Sequence, residues 1–428
     1  MIGARVYLWG TEIGAVTQED SSSLPRFQYT RAFQRSGIEP SPLMMPVTNQ
    51  IYAFPANQNE AFLGLPGLLA DSLPDKFGNR LIQAYLTRIG RTMRELSAVE
   101  RLCYTGSRGM GALEYAPAQE FVSNTSESVQ IDELVKLASD ILSERKELSI
   151  NTNEHGLEQL MRIGTSAGGA RAKALIAWNP VTGDIRSGQI DAGAGYEYWL
   201  IKFDGVENNK DKEDSADKPS YTRIEYAYYL MAQHARITMS KCRLHRDNGL
   251  YHFMTQRFDR LDGGKKRHMQ TLGALAHYNF NDPAARGYED AAEIMRRIQV
   301  DQADVNQLFL RMVFCVLLRN QDDHVKNISF LMDRDGTWRL APAYDMTYSY
   351  VPGHRWIGAH QMTIQGKTRD ITLEDLKAAG KAMNVSSSAV RKSIDLVRHA
   401  QQQWAECAAR AEVPETEIDR IKNGFIYL

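Results

Sequence analysis

Residues 305–318 are apolar on nearly every side, with Leu308, Phe309, Met312, Val313, Cys315, Val316 and Leu317 in one stretch. A helix of that kind must be buried, and a loop that leaves it starts from a rigid mount. The loop is polar: Asn320-Gln321-Asp322-Asp323-His324-Val325-Lys326-Asn327. Residues 327–332 then read as a strand, Asp335-Gly336 as a turn, and residues 337–340 as the returning strand. A hairpin brings its ends together, so Asn327 at the entrance and Asp345 beyond the exit can share one ion. The chain therefore gathers a carboxylate (Asp322), an amide (Asn327) and a second carboxylate (Asp345) around one short loop.

Phosphoryl transfer needs that set: a carboxylate near the attacking hydroxyl, an amide oxygen on Mg²⁺, and a second carboxylate on the metal. Protein kinases place their catalytic Asp and Asn at this spacing. Asp-x-x-x-x-Asn alone is a weak signal that many chains carry by chance, and an ordinary capping loop is the alternative.

A second informative stretch is Ile163-Gly164-Thr165-Ser166-Ala167-Gly168-Gly169-Ala170-Arg171-Ala172-Lys173-Ala174. Small residues let backbone N–H groups approach phosphate oxygens, and Arg171 and Lys173 add positive charge. The Gly-Lys-Ser/Thr ending of a Walker loop is missing, and a glycine-rich turn with two basic residues is the alternative. Residues 197–203 follow as a strand that carries Lys202. Glu225 lies in the helical stretch 224–231, and Asp247-Asn248-Gly249 marks a hairpin between residues 241 and 258. A kinase lysine in this place grips nucleotide phosphates and pairs with a helix glutamate. The order of parts is glycine loop, lysine strand, glutamate helix, hairpin, then Asp-x-x-x-x-Asn and Asp, which is the kinase order.

The remaining segments fill in the plan. Roughly the first 60 residues read as strands, at 6–9, 12–16 and 27–30, and a Pro/Gly-punctuated turn at 64–79 leads into a helix through Leu81 and Tyr85. The Ser-rich residues 123–129 read as a linker, two helices follow to about Arg162, and the charged residues 204–221 read as a mobile insertion. Lys265-Lys266-Arg267-His268 reads as a solvated turn beside Gly263-Gly264. After Asp262 the pattern is mostly helical, with residues 389–411 as one long helix.

Composition narrows the classes. At 428 residues the chain exceeds a single core, so two lobes or more are expected. A formal net charge of −1 gives no general pull towards nucleic acid or anionic membrane. No apolar run approaches the length of a membrane span, and the first residues lack a signal-peptide layout. Cys103, Cys242, Cys315 and Cys407 are widely spaced, as buried thiols of a reducing compartment would be, so the expected location is the cytoplasm.

Several motifs in this order resemble the HipA-type kinases, the toxin half of HipA–HipB toxin–antitoxin modules, over nearly the full length. Leu65-Pro66-Gly67 with Ala70 to Asp75 is similar to the family's N-terminal signature, and residues 166–173 to its glycine loop. Gln256-Arg257-Phe258-Asp259-Arg260 is similar to its hinge, residues 322–327 to its catalytic loop, and Ala341-Pro342-Ala343-Tyr344-Asp345 to its metal motif. The resemblance implies an α+β class: a divergent two-lobed protein-kinase-like fold with an extra β-rich N-terminal subdomain and a mostly helical C-lobe. It divides as 1–122, the N-terminal subdomain; 123–258, the N-lobe; and 259–428, the C-lobe.

By the same resemblance Asp322 is the catalytic base, Asn327 and Asp345 hold Mg²⁺, and Lys202 binds the ATP phosphates with Glu225 as its candidate partner. Gly168, Gly169, Ala170, Arg171, Ala172 and Lys173 cover those phosphates, and Gln256 and Phe258 meet the adenine. His324, Lys326 and Tyr344 complete the ATP-binding set, and Ser166 matches an inhibitory autophosphorylation site. The implied activity is an ATP- and Mg²⁺-dependent serine/threonine kinase that phosphorylates an aminoacyl-tRNA synthetase, glutamyl-tRNA synthetase by analogy, and arrests translation. The implied partner is a HipB-like helix-turn-helix antitoxin, through which operator DNA is met only indirectly; no membrane is involved. The glycine loop lacks the Gln-Glu pair that precedes the lysine in the best-known members, which leaves the target open. Two other readings remain: a solitary HipA-like kinase with another substrate, small molecules included, and a corepressor subunit that helps an antitoxin sit on DNA.

Overall fold

A computed structural model describes residues 2–118, 130–142, 171–189, 191–206 and 220–428. The 123–129 linker, the helix expected to end near Arg162 and residues 207–219 of the insertion lie outside the described residues. The chain forms two compact units: Met1–Pro219 with His245–Met269 and Asp333–Gly336, and Ser220–Leu244 with Gln270–Met332 and Thr337–Leu428.

In the first unit β1 (Ile2–Leu8), β2 (Thr11–Gln18), β3 (Arg26–Tyr29), β4 (Ile51–Tyr52) and β5 (Leu113–Ala116) form a sheet ordered β4-β3-β2-β1-β5. Its strands alternate inward and outward, as a one-sided sheet requires. Trp9 and Gly10 turn between β1 and β2 with φ of 53° and 81°, the left-handed pair of a tight hairpin. Gly14 has no room for a side chain, since a Cβ there would meet Gln28 O at 2.4 Å and the Phe27 ring at 2.5 Å.

Three helices, α1 (Gly67–Ala70), α2 (Lys76–Arg88) and α3 (Ala98–Thr105), sit between β4 and β5, and α4 (Ile131–Leu142) follows. A second sheet runs β7-β6-β8-β10-β9, with β6 (Lys173–Trp178), β7 (Ile185–Ser187), β8 (Glu197–Lys202), β9 (Cys242–Asp247) and β10 (Leu250–Gln256). Asp75 caps α2 by accepting from Gly78 N. The buried face of α2 (Phe77, Leu81, Ile82, Leu86) packs in one core with Ala174 and Ile176 of β6 and Trp199 and Ile201 of β8. The helix of the N-terminal region is therefore a wall of the second sheet's core.

The Lys265–His268 stretch is not a solvated turn. Lys266 donates to Glu114 Oε1 at 2.7 Å and to Ser107 O at 2.5 Å, and His268 is 0% exposed with Nε2 donating to Pro40 O at 3.0 Å. Two side chains of this basic run make three hydrogen bonds to acceptors of the N-terminal region, which the local sequence could not announce.

Two buried imidazoles give this unit an acid sensitivity. Burial pushes His252 and His268 each from 6.5 down to about 4. His252 Nδ1 accepts from Asp204 N at 3.0 Å, so protonation there would break a bond. The unfolded chain takes up these protons as pH falls through 6.5, whereas the folded unit resists until about 4. Stability should therefore fall across that window, by up to about 3 kcal/mol per imidazole. Urea midpoints measured at pH 7 and pH 5 should show the loss, and it should shrink in the His252→Gln/His268→Gln double variant.

The second unit holds β12 (Ser329–Met332), β13 (Trp338–Leu340) and the end of β11 (His268–Thr271), a small sheet ordered β11-β12-β13. Its helices are α5 (Tyr221–His234), α6 (Leu272–Ala276), α7 (Tyr288–Arg297), α8 (Gln302–Leu317), α9 (Leu373–Ala382), α10 (Ser387–Gln402), α11 (Trp404–Arg410) and α12 (Glu415–Gly424). The expected single helix over 389–411 breaks at Gln403, with φ −84° and ψ 1°. The break lets Trp404 turn inward, where its ring meets Tyr228 of α5 at 5.8 Å and Phe425 at 5.7 Å. The half after Asp262 is also less helical than its composition suggests: residues 341–372 hold no helix and are punctuated by Pro342, Pro352, Gly353 and Gly366. All four cysteines are buried and unpaired with one another, and among the described residues no helix is long and apolar enough to cross a membrane.

Candidate active site

The catalytic-loop residues are mounted as the apolar run requires. α8 is buried through Leu308 to Leu317, and at its end Tyr228 O–H donates to Leu318 O at 2.6 Å. From Gln321 burial alternates: Gln321, Asp323 and Val325 are buried, whereas Asp322, His324 and Lys326 are partly exposed. Asp322 is thus presented on the open side of a loop whose other side is fixed.

Asp323 does the fixing. Its Oδ2 accepts from Tyr288 O–H at 3.0 Å and from His360 Nδ1 at 2.8 Å, and its Oδ1 accepts from Gln361 N at 2.8 Å. These donors come from α7 and from the irregular 341–372 stretch, so no local spacing signalled them. The only sequence hint was a second aspartate directly beside the first.

Asn327 precedes β12 instead of beginning it. Its backbone N–H donates to His324 O at 2.8 Å, and its side-chain Nδ2 donates to Asp322 O at 2.7 Å. The amide nitrogen is thereby turned to the loop, and Oδ1 is the end left for other work. Across the hairpin, Tyr344 O–H donates to Lys326 O at 2.6 Å, and Ser329 O–H donates to the Tyr344 oxygen. The residue before Asp345 is thus bonded to the residue before Asn327. Asp345 holds a left-handed φ of 51° and its carbonyl accepts from Asn320 Nδ2 at 3.3 Å. The run leading to it is anchored by Arg311 of α8, whose Nη2 donates to Ala341 O at 2.8 Å; burial pulls the Arg311 pKa down to about 10. One carboxylate and one amide oxygen suit Mg²⁺, which takes few protein ligands and completes its shell with water and phosphate.

His324 Nε2 lies 3.9 Å from Asp322 Oδ1, and Lys326 Nζ lies 4.8 Å from the Phe280 ring centre. His324 and Phe280 also line a shallow recess with Asp282, Arg286 and Gln361. Glu225 is 2% exposed in the first half of α5.

The first unit carries the other candidates. Ser166, Gly168, Gly169 and Ala170 lie outside the described residues; Arg171, Ala172 and Lys173 lead into β6. The β6–β8 register sets Lys173 opposite Lys202, and Lys202 Nζ stands 5.8 Å from the Phe253 ring centre of β10. Lys173 is 2% exposed and its Nζ is 3.1 Å from Asp75 Oδ2. Lys202 belongs to this unit and Glu225 to the other.

Gln256 ends β10, and Arg257 N donates to Tyr198 O at 2.8 Å, which extends the pairing towards Phe258. The segment after β10 is locked by Asp259. Arg257 donates to both its oxygens (2.9 and 2.7 Å), and Arg260 and Gly111 N each donate to Oδ2 at 2.8 Å. Burial would raise the Asp259 pKa, but Arg257 and Arg260 outweigh it and hold the carboxyl well below the usual range. The arginines also donate to Gly188, Gly109 and Gly111 carbonyls, so every charge in the cluster is met.

Comparison with known proteins bears on the family and the fold. The sequence model of a family described as HipA N-terminal domain matches residues 4–116, and that described as HipA-like C-terminal domain matches residues 165–404. A chain of the Shewanella oneidensis toxin–antitoxin complex of HipA, HipB and operator DNA superposes with a TM-score of 0.67 at 15% identity, covering 98% of this chain and 95% of that one. A Haemophilus influenzae protein named as a putative kinase is 31% identical over 104 residues, 22% of this chain and 29% of that protein. The match thus spans under a third of that relative's length.

Proposed function

The chain belongs to the HipA family and shares its α+β fold, and from that premise we propose that it is an ATP- and Mg²⁺-dependent serine/threonine protein kinase, the toxin of a toxin–antitoxin pair. The observation that carries the reading is the loop itself. Asp323 buries one side, the Asn327 amide is turned so that its oxygen is presented, and Asp322 is left partly exposed between them.

In this reading Asp322 accepts the proton of the acceptor hydroxyl and orients its oxygen. Asn327 and Asp345 hold Mg²⁺, which when bound neutralises charge on the transferred phosphoryl group. Lys202 and residues 168–173 bind the nucleotide phosphates, and Glu225 is the candidate partner of Lys202. Gln256 and Phe258 meet the adenine through their backbone, and His324, Lys326 and Tyr344 support the phosphate side. Ser166 is the site of autophosphorylation: nearly two added negative charges beside a phosphate-binding loop would repel ATP. The functional division into 1–122, 123–258 and 259–428 follows the same reading.

The macromolecular substrate is an aminoacyl-tRNA synthetase, and the partner is a HipB-like helix-turn-helix protein that shares the cytoplasm with it. With a net charge of −1 this chain leaves phosphate contacts on operator DNA to that partner. Quantitative phosphoproteomics after brief induction tests the reading. Wild type should add phosphate to a synthetase and to Ser166, and Asp322→Ala should add neither. An identical phosphoproteome for the two would overturn the protein-kinase reading and leave the small-molecule kinase and the corepressor role.

A further inference from the structure

Asp75 uses its two carboxylate oxygens for different tasks. Oδ1 accepts from Gly78 N at 2.5 Å and caps α2, whereas Oδ2 stands 3.1 Å from Lys173 Nζ. Both side chains are almost wholly buried. Capping needs only a side-chain oxygen, and an asparagine supplies it as well as an aspartate. The negative charge is matched to Lys173.

Lys173 has a second neighbour of consequence. It is the direct cross-strand partner of Lys202, so the two side chains leave the same face of the sheet about 4.5–5.5 Å apart at their Cβ atoms, and like charges so placed repel. A phosphate drawn to Lys202 therefore arrives within reach of the Lys173 ammonium. Asp75 lies in the part matched as the N-terminal domain, Lys173 in the part matched as the C-terminal domain.

We propose that Asp75 is a latch on the phosphate-binding lysine pair: its carboxylate competes with nucleotide phosphate for Lys173, and thereby sets the nucleotide affinity from within the N-terminal domain. The inference rests on the nucleotide role proposed above for Lys173 and Lys202. A buried ammonium must keep an anion against it, because an uncompensated buried charge is strongly disfavoured. Exchange of carboxylate for phosphate keeps an anion against Lys173 throughout. Its cost falls on Asp75, whose buried Oδ2 gives up the Lys173 ammonium, so nucleotide binding is felt at the first turn of α2.

Affinity for a non-hydrolysable ATP analogue, titrated against the full-length chain, tests the latch. D75N keeps the cap and removes the charge, so it should bind roughly 10- to 100-fold tighter than wild type, the scale of one hydrogen bond to a charged group. The gain should vanish in a K173M background. D75N should also melt lower than wild type alone and gain more in melting temperature from the analogue, a change that a purely structural role would not produce. D75S, which also keeps a cap oxygen, repeats the measurement if D75N fails to fold. D75N affinity equal to or weaker than wild type overturns the latch, as does an equal gain with K173M, which would mean plain repulsion. K202M separates the two ideas. Binding by wild type, loss in K202M and no change in D75N removes the latch alone; no binding by any of these proteins removes the nucleotide site and the latch with it.

Discussion

Replacing Asp345 by asparagine should lower phosphoryl transfer by roughly 10²- to 10³-fold, because charge neutralisation and positioning supply nearly all the catalysis in this chemistry. The substitution is unusually clean here. Asp345 holds a left-handed φ of 51°, a conformation that asparagine tolerates as well as aspartate does. Its carbonyl bond to Asn320 Nδ2 is a backbone bond and survives. The variant therefore removes a charge and keeps the backbone of the site. Melting temperature should hold while turnover collapses, and ATP affinity should fall mainly when Mg²⁺ is present. Turnover close to wild type would remove Asp345 from the metal site.

The second large effect is on stability. Asp259 is 0% exposed between Arg257 and Arg260 and also accepts from Gly111 N. Asp259→Ala leaves two buried guanidinium groups without their counter-ion, which should cost about 3–5 kcal/mol. Against a typical margin of roughly 5–15 kcal/mol, that is a large fraction of the total. Chemical unfolding followed by tryptophan fluorescence checks it: Trp178 and Trp199 sit in this unit's core. A loss below about 1 kcal/mol would show that the arginines find solvent or other acceptors, and the cluster would not be the anchor of the segment after β10.

What could be read from the sequence was whatever depended on local pattern. The buried α8, the β12–β13 turn at Asp335-Gly336, the strand carrying Lys202 and the helix carrying Glu225 all followed from periodicity and turn residues. Across that hairpin Tyr344 O–H reaches Lys326 O, one residue before Asp345 and Asn327 respectively. What escaped were long-range polar contacts, which have no period. Asp75 looked like one more residue of a Pro/Gly-punctuated turn, yet it meets Lys173 on a strand far along the chain. His360 and Tyr288 gave no sign that they hold Asp323. The basic run at 265–268 looked solvated because its acceptors, Glu114 and the Ser107 and Pro40 carbonyls, lie in the N-terminal region. The break at Gln403 was hidden by good helix formers on both sides, and the packing of Trp404 overrode their propensity.

The measurement that bears most directly on the whole account is transfer of the γ-phosphate of labelled ATP to protein by the purified chain, compared with Asp322→Ala. Wild type should incorporate label only with Mg²⁺, into itself and into a synthetase present in the same lysate. Asp322→Ala, folded and with its ATP affinity retained, should fall by roughly 10²- to 10⁴-fold, the worth of a positioned base. Equal incorporation by the two proteins, or label that appears without Mg²⁺, would contradict a kinase built on this loop.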